Sequence, residues 1–133
     1  GRLFPNLKDL DPIDAAMEAS RKSGVAVLLK GAHSVIAEPS GCCWQLGESS
    51  SWAARGGLGD VLAGFVAGLG SVGFSSSKAI NGQLLAGAAL IHSQAASLCK
   101  KGSSPSLIAS SLSELTTRLQ ATNVVMSTSK CHE

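Results

Sequence analysis

The hydrophobic positions of residues 11–29 change from helical spacing to a continuous apolar run, a pattern typical of a helix that leads into a strand. Asp11 and Pro12 are suited to the N-cap and the first position of a helix. Apolar residues then recur at helical spacing, at Ile13, Ala16 and Met17. Gly24 ends the helix, and the run Val-Ala-Val-Leu-Leu at residues 25–29 predicts a strand covered on both faces. A helix followed by a buried strand is half of an α/β unit.

The next segment predicts two further short strands. Residues 34–37 are apolar after Ser34, residues 39–41 (Pro-Ser-Gly) predict a turn, and residues 42–46 are expected to return antiparallel. Residues 47–59 then show no periodicity and contain Trp52, Arg55 and a cluster of glycines. A loop of this length is usually either functional or disordered.

Residues 60–69 predict a helix, since their large apolar side chains recur at helical spacing. The glycine-containing residues 70–73 are expected to end it. Gly64 and Gly68 make part of this helix thin, and a glycine inside a helix otherwise costs up to about 1 kcal/mol relative to alanine. We therefore expect a close backbone neighbour at these two glycines.

Two more helices are predicted in the rest of the chain. Ser77 is expected to cap a helix that continues to about Lys100. Its apolar stripe comprises Ile80, Leu84, Ala88, Ile91, Ala95 and Leu98. Residues 107–119 form the last predicted helix, with Leu112, Leu115 and Leu119 on its apolar side. The polar residues 122–133 are predicted to be a frayed tail.

Composition narrows the class of protein. The chain has 133 residues, of which 44% are hydrophobic and 15% charged, which is typical of one globular domain. Its net charge of +2 is spread along the chain without a basic stripe, so no nucleic-acid partner is predicted. The apolar runs are far shorter than the roughly 20 residues that a membrane-spanning helix needs. No membrane partner is predicted either.

The four cysteines do not form a recognisable framework. Cys42 and Cys43 are adjacent, Cys99 lies in a predicted helix and Cys131 lies in the tail, so neither disulfides nor a zinc site is predicted. This cysteine usage indicates a reducing, intracellular compartment. We expect the cytoplasm, or a mitochondrial or plastid matrix if the parent carries a transit peptide. The first residue is not Met and no signal core follows it, so we expect residue 1 to be a cut point within a longer parent.

The residues with the clearest chemistry are Gly56, Gly57, Leu58, Gly59 and Asp60, at a junction between loop and helix. Glycines allow a tight turn, and the first turn of a helix offers unpaired N–H donors and partial positive charge. This junction predicts an anion-binding site in which Asp60 accepts a proton from a hydroxyl that attacks phosphorus. The alternative is a glycine-rich turn in which Asp60 is an ordinary N-cap.

The order of segments resembles the C-terminal half of the ADP/ATP-dependent NAD(P)H-hydrate dehydratases, which are repair enzymes of the ribokinase-like superfamily. The residues that carry the resemblance are Lys-Gly-Ala-His-Ser-Val-Ile at 30–36, Gly-Gly-Leu-Gly-Asp-Val-Leu-Ala-Gly at 56–64 and His-Ser-Gln-Ala at 92–95. The resemblance implies an α/β fold, a ribokinase-like three-layer sandwich. It also implies that residues 1–133 form the C-terminal part of one such domain.

The resemblance implies a chemistry as well. Enzymes of this family phosphorylate the ring hydroxyl of hydrated NADH or NADPH from ADP or ATP with Mg²⁺, and phosphate then leaves. By this analogy the nucleotide would be bound by Lys30, Gly31, Ala32, His33 and Ser34. The transferring phosphoryl group would be held by Gly56, Gly57, Leu58 and Gly59. Asp60 would be the catalytic base, no protein ligand to the metal is assigned, and the oligomeric state, including a homo-oligomer, stays open.

Two other functions remain open. The glycine-rich pentad is shared with sugar and vitamin kinases of the same superfamily, which would release a stable phosphorylated product. A nucleotide-binding fragment without turnover is the third alternative. Away from the pentad, His92 is expected to be packed rather than catalytic, and Trp44 and Trp52 are expected to be packing residues.

Overall fold

The computed structural model describes residues 3–47, 56–74, 81–99 and 103–128. A short 3₁₀ helix (Pro5–Leu7) precedes four α-helices and three strands. In chain order they are α1 (Pro12–Ser23), β1 (Val27–Leu29), β2 (Val35–Ala37), β3 (Cys43–Gln45), α2 (Leu58–Phe74), α3 (Gly82–Leu98) and α4 (Pro105–Thr128). The expected α/β class is confirmed. None of the helices in the described ranges has the length and hydropathy to cross a membrane.

The three strands form one antiparallel sheet in the order β1-β2-β3. Leu28 pairs with Ile36, and Ile36 pairs with Trp44, so the expected antiparallel return of residues 42–46 is confirmed. The expectation that residues 25–29 are covered on both faces is wrong, since Val25 is 58% exposed and β1 is only partly buried. The strand buried on both faces is β2, because it is the central strand of the sheet.

Helix α1 begins and ends as its sequence predicts. The Asp11 carboxylate accepts a hydrogen bond from the backbone N–H of Ile13 at 2.9 Å, and Pro12 occupies the first helical position. Gly24 ends the helix in the left-handed conformation, with φ of 70°. These local signals are sufficient to fix both ends of the helix.

The face on which α1 packs differs from the predicted one. Ile13 and Met17 are exposed, and the buried residues of the helix are Ala16, Ala19 and Ser20. The Ser20 hydroxyl donates to the backbone carbonyl of Val25 at 2.7 Å, which satisfies a polar group inside the interface. Small side chains let α1 lie close to the sheet.

Helices cover both faces of the sheet. Ala16 of α1 packs with Val35 and Ala37 of β2 in one buried cluster. Successive residues of a strand point to opposite faces, so Ile36 and its neighbour Trp44 face the other side, where α3 contacts all three strands. The described residues therefore form an α/β/α arrangement with α1 in one outer layer and α3 in the other.

Helix α2 is longer than predicted. It continues through residues 70–73 to Phe74, and Gly70 is buried within it. The close backbone neighbour expected at Gly64 and Gly68 is also wrong: both are exposed, and a Cβ at either would have no atom of the described residues within 4 Å. These glycines therefore cost helix stability without allowing a close contact in the described part of the chain.

Helix α3 begins at Gly82, later than predicted, because Asn81 is extended and its side chain accepts from the N–H of Leu84 at 2.9 Å. Ser77, the predicted cap, lies outside the described residues. Gly82, at the start of α3, does meet close neighbours. A Cβ there would lie 2.7 Å from Cγ of Glu38 and closer still to Cζ3 of Trp44. Glu38 accepts a hydrogen bond from the N–H of Gly82, which joins α3 to the end of β2.

Helices α2, α3 and α4 share a second buried cluster. Its buried members are Leu58, Ala95, Ala96, Ile108 and Leu112. Leu112 and the half-buried Leu115 lie on the predicted apolar side of α4, which extends to Thr128 instead of ending at residue 119. The fraying of residues 122–133 stays a prediction, and residues 129–133 lie outside the described ranges.

Candidate functional site

The glycine-rich pentad forms the turn into α2. Gly57 has φ of 83°, a left-handed conformation that favours glycine, and α2 begins at the next residue, Leu58. The first helical hydrogen bond runs from the N–H of Val61 to the carbonyl of Gly57 at 3.1 Å. Asp60 is therefore the third helical residue and not the N-cap. In this geometry the N–H groups of residues 58–60 have no partner within the helix, as an anion-binding helix terminus requires.

The other two helices of the cluster hold this turn in place. A Cβ at Gly57 would lie 3.3 Å from Cγ of Pro105, the first residue of α4. The Leu58 side chain is fully buried among α3 and α4. The turn therefore sits directly on packed side chains, and its backbone has little room to move.

The third contact comes from His92 of α3, which is 2% exposed. Its Nε2 lies 3.1 Å from the backbone carbonyl oxygen of Leu58. Because a carbonyl can only accept, Nε2 carries the proton and donates. The expectation that His92 is packed rather than catalytic agrees with this position, since the ring is closed off from solvent.

The electrostatics of His92 also involve Lys30, the first residue of the stretch at 30–36 that carries the resemblance. Burial lowers the pKa of His92, and the positive charge of Lys30 lowers that pKa further, while the hydrogen bond to Leu58 acts in the opposite direction. Lys30 directly follows β1 and is exposed. The charge of Lys30 therefore acts on His92, whose ring contacts the carbonyl of Leu58, the first residue of α2.

The remaining residues of the first motif form the connection between β1 and β2. Gly31, Ala32 and His33 are exposed, and Ser34 is half-buried. The Ser34 hydroxyl lies 3.5 Å from the N–H of Gly31, and the Ser34 carbonyl accepts from Leu46 at 2.9 Å. These bonds tie the connection to the sheet, and Lys30 at its start acts electrostatically on His92, which bonds to Leu58 of the pentad.

Asp60 is exposed at the rim of a groove of about 460 Å³ between α2 and α4. The groove is lined by Val61, Gly64, Phe65, Ala109, Leu112, Ser113, Thr116 and Thr117. An exposed carboxylate beside N–H groups that have no partner within the helix can accept a proton from a hydroxyl at the same helix end.

Sequence reasoning missed the contacts that support the turn. The Pro105 contact with Gly57 and the His92 bond to Leu58 both join residues far apart in the chain. The available signal for His92 was its spacing of three or four residues from Ala88, Ala89, Ala95 and Ala96, which places a polar side chain on an apolar face of α3. Within the described ranges, no group of three or more His, Cys, Asp or Glu residues could hold a metal ion.

Comparison with known proteins gives one family. The sequence model of a family described as NAD(P)H-hydrate dehydratase matches residues 2–118. The chain is 44% identical over 68 residues to the bifunctional NAD(P)H-hydrate repair enzyme Nnr of Synechocystis sp.. The matched residues make up 51% of this chain and 13% of that protein. It is 34% identical over 121 residues to the enzyme of the same name from Mycobacterium leprae. This match covers 88% of this chain and 24% of that protein.

A third relative, the enzyme of the same name from Gloeobacter violaceus, is 46% identical over 68 residues. This match covers 51% of this chain and 13% of that protein. The chain therefore spans between about an eighth and a quarter of the length of these curated relatives. No solved structure matches it significantly.

Proposed function

Because this chain belongs to the NAD(P)H-hydrate dehydratase family, we propose that it forms the C-terminal part of a domain that restores hydrated NADH or NADPH. The reaction phosphorylates the ring hydroxyl from ADP or ATP, after which phosphate leaves and the ring double bond reforms. The observation that carries the proposal is the family match over residues 2–118, which includes the pentad at the start of α2. The α/β/α layering of the described residues is compatible with a ribokinase-like sandwich, which is part of the same proposal.

The residues are assigned roles in keeping with their positions. The N–H groups at the start of α2, around Gly57 and Gly59, hold the transferring phosphoryl group, assisted by the helix dipole. Asp60 accepts the proton of the ring hydroxyl as its oxygen attacks phosphorus. Lys30 contributes positive charge next to the nucleotide phosphates, and residues 31–34 line the nucleotide.

Magnesium accompanies the nucleotide in this proposal. Mg²⁺ is commonly held by one or two carboxylates together with substrate phosphates and water, rather than by a cage of protein side chains. The described residues contain no cluster of three or more His, Cys, Asp or Glu side chains that could hold the ion, so its ligands would be mainly phosphate oxygens and water. When bound, the ion would neutralise phosphate charge; the positioning of the phosphoryl group and the transfer of the proton are assigned to the chain's own residues.

An intracellular location belongs to the proposal. Cys42, Cys43 and Cys99 are free thiols in the structure. Free cysteines are typical of reducing compartments, which supports this location.

The test is an assay of the full-length protein that contains this chain, following the recovery of NADH from its hydrate with ADP or ATP. Asp60→Asn should lower kcat at least about 100-fold, since it removes the general base, and should leave nucleotide affinity nearly unchanged. Asp14→Asn is a matched control, because Asp14 is also an exposed acid in the first turn of a helix. Equal activity of the Asp60 variant and the wild type would show that Asp60 is not the base.

The same assay separates two other functions. A stable phosphorylated product without elimination would identify a small-molecule kinase. Nucleotide binding without any turnover deserves a separate test on the 133-residue chain, because the chain spans at most about a quarter of the relatives compared above. Titration with labelled ADP, followed by a search for product, tests this function, because binding without any product would support it.

A further inference from the structure

The peptide unit between Leu58 and Gly59 has a feature that packing alone does not require. Its carbonyl accepts the hydrogen bond from Nε2 of His92 at 3.1 Å. Its N–H, which belongs to Gly59, is one of the groups at the start of α2 that have no partner within the helix. The same rigid peptide plane therefore accepts from His92 at one end, and at the other end it carries an N–H that has no partner within the helix.

This arrangement has two physical consequences. A hydrogen bond accepted by a carbonyl polarises the peptide and makes its N–H a stronger donor. The bond also restrains the plane in addition to the helix itself, and the direction of the plane determines where the Gly59 N–H points. Donors stabilise a developing charge only when they are aimed correctly before the reaction, so the orientation of this plane matters for catalysis.

The surroundings of His92 favour this role over direct participation in the reaction. The ring is 2% exposed, and Nε2 is already engaged with Leu58. Gly57 and the Leu58 side chain fix the turn from the side of α4 and the apolar cluster. His92 adds the polar contact on the backbone itself, from α3.

We propose that His92 is a positioning residue, whose Nε2–H donor orients and polarises the Leu58–Gly59 peptide so that the Gly59 N–H binds the transferring phosphoryl group. The role at phosphoryl transfer rests on the proposed function, whereas the effect on the Gly59 amide does not. Burial and Lys30 lower the pKa of His92, which keeps the ring neutral near pH 7. The geometry requires the tautomer that is protonated at Nε2.

Two substitutions separate the donor from the packing. His92→Gln retains an N–H donor that can reach the Leu58 carbonyl, and His92→Met has a similar length without a donor. Both remove the ring, so both should lower the melting temperature, and activity is measured where circular dichroism shows all proteins folded. We expect His92→Met to lower kcat by about 10-fold to 100-fold, as loss of an orienting contact does. KM for the hydrate should stay within about 3-fold, and His92→Gln should recover most of the lost kcat.

A second measurement does not depend on the reaction. In the full-length protein, the ¹H and ¹⁵N shifts of the Gly59 amide should move in His92→Met and return towards wild type in His92→Gln. Affinity for Mg·ADP should follow the same order. If the wild type shows no dehydratase activity, the proposed function fails, but the amide shifts and Mg·ADP titrations still decide the role of His92.

The result that would overturn the inference is equality of the two variants in kcat, amide shift and Mg·ADP affinity. In that case the ring contributes packing only. If His92→Met does not fold, the ¹⁵N shifts of the wild-type imidazole give the answer: protonation at Nε2 supports the proposal, and protonation at Nδ1 alone overturns it.

Discussion

Gly57 is the residue at which the backbone of the candidate site is most constrained. Its φ of 83° is unfavourable for any residue with a Cβ, and that Cβ would press on Pro105. We expect Gly57→Ala to lower the free energy of unfolding by about 1–2 kcal/mol through the left-handed backbone alone. The adjacent Gly56→Ala is the control, because a Cβ there would meet no described atom within 4 Å. Urea denaturation of both variants checks this, and equal losses would contradict it.

A second prediction at this scale concerns the charge next to His92. Burial is the largest cause of the lowered pKa of His92, and Lys30 is the next. Lys30→Met removes that charge while keeping much of the side-chain volume, so the pKa of His92 should rise towards its ordinary value of 6.5. NMR titration of the imidazole measures the change. Lys22→Met, on the exposed end of α1, should leave the His92 titration unchanged.

The lowered pKa of His92 also fixes a direction for stability against pH. The folded state favours the neutral ring, so below pH 6.5 the unfolded state binds more protons. The contribution of His92 is complete above pH 6.5 and is lost progressively as pH falls from 6.5 towards the lower folded-state pKa. His92→Gln should lose this part of the pH dependence. An unchanged slope between wild type and variant, measured by urea denaturation at several pH values, would argue against a neutral buried ring.

At the scale of elements, α3 contains two glycines with opposite expected effects. Gly82→Ala places a methyl group against Trp44 and Glu38, and such overpacking typically costs about 1–3 kcal/mol. Gly87 is exposed, and a Cβ there would meet no described atom within 4 Å, so Gly87→Ala should stabilise the chain by up to about 1 kcal/mol. Thermal unfolding of the two variants compares them within one helix. Destabilisation by Gly87→Ala would show that this face is covered.

The same elements show what the sequence could predict. Both ends of α1 were predictable, because Asp11, Pro12 and Gly24 act on their own backbone. The end of α2 and the start of α3 were not. A glycine such as Gly70 breaks an isolated helix but is tolerated where the helix is buried, and Gly82 starts α3 because Glu38 and Trp44 meet it there. Tertiary contacts of this kind leave no periodic pattern in the sequence.

For the whole molecule, the candidate site was predictable only in part, because some of its features are local in the sequence and others depend on tertiary contacts. The pentad could be found because its glycines and Asp60 are contiguous in the chain. The link from Lys30 through His92 to Leu58 joins three elements and follows only from the fold. Helix α3 is the element that makes the link, since one part of it covers the sheet and another packs with α2 and α4.

This central position of α3 predicts that the described layers unfold together. Ile108→Ala opens a cavity in the cluster of α2, α3 and α4 and should cost about 2–5 kcal/mol. If α3 couples that cluster to the sheet, unfolding followed by Trp44 fluorescence should shift as far as unfolding followed by helical circular dichroism. Trp52→Phe is introduced first so that Trp44 alone reports. A Trp44 transition that keeps its midpoint while the helical signal moves would show that the sheet and the helical cluster are separate units, because two-state unfolding requires coincident probes.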